Sequence, residues 1–128
     1  MPWAIYKGYL VHLDLKLENV LLLKSVTKGQ QREVKLIDFG FSRVSKPKQK
    51  LDFICGTPNY MSTELLAKKS YLSHPADIWA LEVILFLLLS QEFPFKGNTE
   101  QELLKNILTG NMLIRFTRLV NMPRICCA

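Results

Sequence analysis

The sequence predicts a mainly α-helical domain with one small β-hairpin, and three observations predict it. Two short apolar runs, residues 20–23 and 34–37, flank a polar stretch that contains Gly29, the pattern of two strands joined by a turn. Residues 76–90 are apolar nearly all round, as in a helix at a domain centre. Further on, Thr99 and Glu102 have capping-box spacing, Leu103, Leu104, Ile107 and Leu108 share one helical face, and Gly110 closes the helix.

Composition narrows the class. A chain of 128 residues allows one domain with a moderate core, and 48% hydrophobic residues argue against disorder. The net charge of +6 is spread along the chain. Its densest patch, residues 46–50, reads as a solvated loop, and no recognition motif accompanies it, so no nucleic-acid partner is expected. The three cysteines, Cys55, Cys126 and Cys127, lack metal-site spacing and are odd in number, which favours a reducing compartment, cytoplasmic or nuclear. The N-terminal residues carry no basic region followed by an apolar run, so no secretory leader is expected. The most apolar stretch, residues 78–89, is short for a bilayer span and contains Glu82; a core helix is expected there and no membrane partner.

The remaining elements follow in order. Gly8 breaks any helix in residues 1–10. Residues 11–19 form a polar and apolar loop, followed by the first strand of the hairpin. Residues 41–54 are a loop of mixed charge with Pro47, and Leu65, Leu66 and Ala67 suggest a short helix. Ser73, His74 and Pro75 mark a helix start, with a hydroxyl cap and an early proline. Residues 91–97 loop around Phe93, Pro94 and Phe95. The pattern fades after Asn111, so residues 111–128 are an unassigned tail and residues 1–110 the domain.

The chemistry lies in two loops. His12-x-Asp14-x-Lys16-x-x-Asn19 supplies a carboxylate, a cation and an amide at short steps, and Asp38-Phe39-Gly40 puts a second carboxylate at the end of an apolar strand. A base, a phosphate-facing cation and oxygen ligands for a hard divalent metal are what phosphoryl transfer needs. Together these residues resemble the catalytic loop and metal-binding loop of the eukaryotic protein kinases. Gly56, Thr57, Pro58, Asn59 and Tyr60, followed by Glu64, resemble the segment that docks substrate. Asp77 and Trp79 resemble the start of the family's central helix. The lysine at position 16 and the Phe93-Pro94-Phe95 loop resemble the calcium/calmodulin-dependent and AMP-activated group of serine/threonine kinases.

The resemblance implies a truncated C-terminal lobe, with ATP and Mg2+ as cofactors and a protein serine or threonine hydroxyl as acceptor. It implies Asp14 as the base and Lys16 as the stabiliser of phosphoryl charge. Asn19 and Asp38 become magnesium ligands, and Phe39, Gly40, Gly56, Thr57 and Glu64 belong to the activation and docking segment. Thr57 is expected to bond Asp14 and Lys16. His12, Asp77 and Trp79 take structural roles, His12 bonding backbone near Phe39 and Asp77 bonding the loop backbone.

Departures from the family pattern carry their own expectations. Leu13 stands where the family has an arginine that holds a phosphorylated residue, and Phe53 stands where related kinases have a phosphorylatable threonine. Receptor and phosphosite are absent together, so the segment is not expected to be switched by phosphate at that position; phosphate-dependent activity tied to another residue of the segment, such as Ser45, would count against this. Thr63 replaces a proline, and Glu82 and Gln91 replace glycines. A carboxylate at position 82 in a buried helix must find a partner, take up a proton or lie at an exposed edge; Glu82→Gly is expected to raise stability.

No glycine-rich phosphate loop or strand lysine precedes residue 11, and Arg115, Arg118 and Arg124 match the family's partner for Glu64 by charge alone. Catalysis is therefore expected only with a complementing kinase lobe. The rivals are a catalytically inactive, kinase-like interaction module docking partners near residues 93–111, and a relic fragment.

Overall fold

The computed structural model describes residues 9–23, 33–46 and 48–112. The expectations for residues 1–8, for the hairpin turn at 24–32 and for Arg115, Arg118 and Arg124 lie outside the described residues.

Among the described residues there are three antiparallel strand pairs where one hairpin was expected. β2 (Val20–Leu22) pairs with β3 (Val34–Leu36), which is the expected one. β1 (Tyr9–Val11) pairs with β4 (Arg43–Ser45), and β5 (Lys50–Leu51) pairs with β6 (Tyr71–Leu72). The two additional pairs are non-local in sequence, and strands of two or three residues leave no readable alternation. In β1–β4, Val11 lies opposite Arg43, so the strand entering the first chemical loop is braced by the strand leaving the second. The β2–β3 strands exist but are largely uncovered: Val20 packs against the cluster of Leu15 and Tyr60, while Leu22 and Val34 are about three-fifths exposed.

Helix α1 (Thr63–Leu66) is a single turn, starting at the residue where proline would also fit, since an N1 amide has no partner within the helix. Helix α2 (Ser73–Ser90) is the long element. Ser73 is its first helical residue and not its cap; Leu72 occupies the cap position, and the buried Ser73 hydroxyl has no hydrogen-bond partner among the described residues. Pro75 sits in the first turn as expected.

The stripe Ala76, Ala80, Val83 and Ile84 is buried, whereas Ile78, Leu81, Leu85, Leu88 and Leu89 are exposed. Glu82 is exposed too, so of its three possible fates it takes the exposed edge. By length and hydropathy alone this helix could also cross a membrane. In the structure Ala80, Val83 and Ile84 of its buried stripe pack with Leu15 and Tyr60, and Ala76 packs with Val11, Leu13 and Leu65. Gln91 ends α2 with a φ of 61°, a left-handed conformation that favours glycine. That explains why glycine suits this position.

Helix α3 (Glu100–Thr109) begins as expected: Thr99 Oγ1 accepts from the Glu102 amide at 3.2 Å. The reciprocal bond reaches one residue further back, with Glu102 accepting from the Asn98 amide at 2.8 Å. Gly110 closes the helix at a φ of 68°. Leu103 and Ile107 are buried against Phe95, while Leu108 faces solvent. Trp79 stacks on Phe95, with ring centroids 6.1 Å apart, and ties α3 to α2.

Candidate active site

The loop between β1 and β2 is held from below. Asp77, in the first turns of α2, accepts from the His12 amide at 2.7 Å and from the Leu13 amide at 2.9 Å. Two bonds to one carboxylate fix the turn at Leu13, which is buried at a φ of 65°. Leu13 can hold that unfavourable conformation because its amide is clamped and its side chain sits in the core. His12 is buried, its Nδ1 accepts from the Asp14 amide at 3.3 Å, and its Nε2 lies 3.1 Å from the Ile37 carbonyl. The neutral Nε2–H tautomer satisfies both bonds. Its ring tilts against Phe39 at 4.9 Å, so it bridges the two chemical loops.

Asp14 is buried, with its carboxylate shared between two partners. Thr57 Oγ1 donates to Oδ1 at 3.0 Å, and Lys16 Nζ pairs with Oδ2 at 2.9 Å. Lys16 also donates to Thr57 Oγ1 at 3.2 Å, closing a triangle. The hydrogen bond to Asp14 holds the Lys16 ammonium above its ordinary range, so it stays charged. Gly56 precedes Thr57 at a φ of 105°, and a Cβ there would meet the Leu13 carbonyl at 2.9 Å. Only glycine lets the segment approach the loop this closely.

Asn19 is buried in a 3₁₀ turn, Leu17–Asn19, and its Nδ2 donates to the Asp14 carbonyl at 2.9 Å. Its carbonyl accepts from the Ile37 amide at 3.0 Å, and Val20 pairs with Leu36. Asn19 and Asp38 therefore flank the same end of the β2–β3 pair. Asp38 is exposed at a φ of 60°, a conformation aspartate tolerates, and its Oδ1 accepts weakly from the Gly40 amide at 3.4 Å. Among the described residues no group of three or more His, Cys, Asp or Glu could hold a metal. The oxygen donors are the Asp38 carboxylate and the Asn19 amide oxygen, whose nitrogen is already committed to Asp14. Such a set fits magnesium, which is commonly held by one or two carboxylates together with substrate phosphates.

Glu64 accepts from its neighbour Thr63 at 3.2 Å. Phe39 and Gly40 are exposed beside Asp38. Two contributors were not legible beforehand. Arg43 places its guanidinium 4.1 Å from the centre of the Phe53 ring, and Tyr71 donates to the Phe53 carbonyl at 3.1 Å. Neither pair has a sequence signal, since each depends on non-local strand pairing. Burial pushes the Tyr71 phenol up to about 12 and raises the Cys55 thiol as well, which leaves Cys55 a poor nucleophile.

The clamped loop thus carries a carboxylate–lysine–threonine triangle next to a strand end that bears Asn19 and Asp38. The chain belongs to the protein kinase family: the family model described as protein kinase domain matches residues 4–124. Its relatives are serine/threonine kinases. It is 41% identical over 107 residues to serine/threonine-protein kinase kin-29 of Caenorhabditis briggsae, covering 84% of this chain and 12% of that one. It is 42% identical over 104 residues to probable serine/threonine-protein kinase MARK-A of Dictyostelium discoideum, covering 81% and 9%. Against myosin light chain kinase family member 4 of Homo sapiens the identity is 39% over 104 residues, covering 81% and 26%. The chain thus spans about a quarter or less of these relatives' lengths.

Proposed function

We propose that the chain carries the acceptor-activating part of a serine/threonine protein kinase, a truncated C-terminal lobe. With the ATP-binding elements of a complementing lobe, it transfers the ATP γ-phosphoryl group to a protein serine or threonine hydroxyl. The observation that carries this reading is the Asp14–Lys16–Thr57 triangle. Asp14 orients the substrate hydroxyl and accepts its proton as the hydroxyl oxygen bonds to phosphorus and the bond to ADP breaks. Lys16 faces the charge on the transferred group. Thr57 holds both side chains in register. Asn19 and Asp38 would hold magnesium, which supplies charge neutralisation for the phosphates. The reading places the protein inside the cell, where ATP is available.

The test is phosphorylation of a serine-containing peptide, with Mg2+ and ATP, by the chain joined to a kinase small lobe. Activity is expected with Asp14 and absent in Asp14→Asn; equal rates in the two would defeat the assignment. A second reading, a kinase-like docking module without catalysis, is favoured by one observation. An open groove of about 530 Å³ runs between Pro58, Asn59, Phe93 and the start of α3 at Thr99. Partner binding that survives Asp14→Asn, in a joined chain that does not bind Mg2+ and ATP, would select it.

A further inference from the structure

We infer that Phe53 is the latch of the activation segment. It is held by a cation and an apolar pocket without any phosphate, and through the segment it positions Thr57 on Asp14.

The segment is fixed at both ends. Leu51 pairs with Tyr71 in the β5–β6 ladder at one end. At the other, Gly56 lies against the Leu13 carbonyl and Thr57 bonds Asp14. Between them Asp52 and Ile54 are exposed, and the middle of the segment is anchored by Phe53 together with the buried Cys55, whose Sγ lies 3.9 Å from the Leu13 carbonyl. The Phe53 ring packs against the buried cluster that contains Val11, Leu13, Leu51, Cys55 and Tyr71. The Arg43 guanidinium covers it at 4.1 Å, and the Phe53 carbonyl accepts from Tyr71.

Arg43 sits opposite Val11, immediately before His12 and Leu13, so the latch ties the segment directly to the loop that bears Asp14. A ring face attracts a guanidinium without a negative partner. Leu13 contributes apolar surface to the same cluster. Ser45, another hydroxyl of the segment, is buried in β4, with its hydroxyl 3.4 Å from the Lys46 carbonyl, and is not presented for modification.

Phe53 bears on phosphoryl transfer only if Asp14 is the base, as proposed above, but its hold on the segment does not depend on that. The test therefore has two arms on the chain joined to a small lobe. In the first, amide hydrogen exchange is followed over residues 51–57. Phe53→Ala is expected to speed exchange there by about tenfold or more while α3 is unchanged. Arg43→Gln is expected to speed it about two- to fivefold, the worth of one cation–π contact. Phe53→Trp, which keeps a ring face, restores protection, and phosphatase treatment of the parent changes nothing.

In the second arm, Phe53→Ala lowers kcat with little change in the KM for ATP, and Phe53→Trp recovers it. Unchanged exchange over 51–57 in Phe53→Ala, an equal rise across the whole chain, or loss of protection on phosphatase treatment would overturn the latch. An inactive parent would instead overturn the kinase reading, with the exchange arm still deciding the latch.

Discussion

At the scale of single residues, Asp77 shows how one side chain carries a backbone conformation. Its two oxygens satisfy two amides of a loop that has no strand partner at that point. Asp77→Ala leaves both amides unpaired and is expected to cost about 2–4 kcal/mol in a denaturant melt, with Asp77→Asn intermediate because one acceptor remains. Tyr71 gives a pH signature. Its phenol rises from the ordinary 10 to about 12, with burial the largest cause. Between those values the unfolded chain has lost the proton and the folded chain keeps it. Stability is therefore intact below pH 10 and falls as pH climbs through the window. Tyr71→Phe is expected to flatten that fall; an unchanged slope would show the phenol titrating normally.

At the scale of elements, α2 departs most from expectation. An all-round apolar sequence suggests burial on every side, yet among the apolar residues of α2 only the stripe through Ala76, Ala80, Val83 and Ile84 is fully buried, with Trp79 half-buried on the same side. Glu82 lies outside that stripe, so its charge is solvated and its replacement by glycine relieves nothing. Glycine in an exposed helix position loses propensity, so Glu82→Gly is expected to lower stability by about 1 kcal/mol. That reverses the sign expected from burial, and a rise in Tm would show that the carboxylate is desolvated after all. By contrast α3 follows its sequence closely, because its cap, periodicity and closing glycine are all local signals.

At the scale of the whole molecule, the apolar surface is the dominant property. Ile78, Leu81, Leu85, Leu88 and Leu89 form an exposed face on α2, and the β2–β3 pair adds Leu21, Leu22 and Val34. Surfaces of this kind favour self-association. The double variant Leu81→Glu, Leu85→Lys places a favourable pair at i,i+4 on that face. It is expected to reduce light scattering at a given concentration while changing stability by no more than about 0.5 kcal/mol. A large loss of stability would mean that the face is covered within the chain.

The chemical residues and the local elements were legible without coordinates. His12, Asp14, Lys16, Asn19 and Asp38 stand at motif spacing, and the hairpin, the long helix and α3 announce themselves by apolar pattern, proline and capping residues. These signals are short-range, so sequence order alone determines them. What only the tertiary structure decided involves partners far apart in the chain. The β1–β4 and β5–β6 pairs, the seating of Arg43 over Phe53, the Tyr71 bond to the Phe53 carbonyl and the exposure of Glu82 all depend on which face meets which. A two-residue strand or a single aromatic residue carries no periodic mark of its partner. Burial is likewise a property of what covers a residue, and for α2 the covering came from one side only.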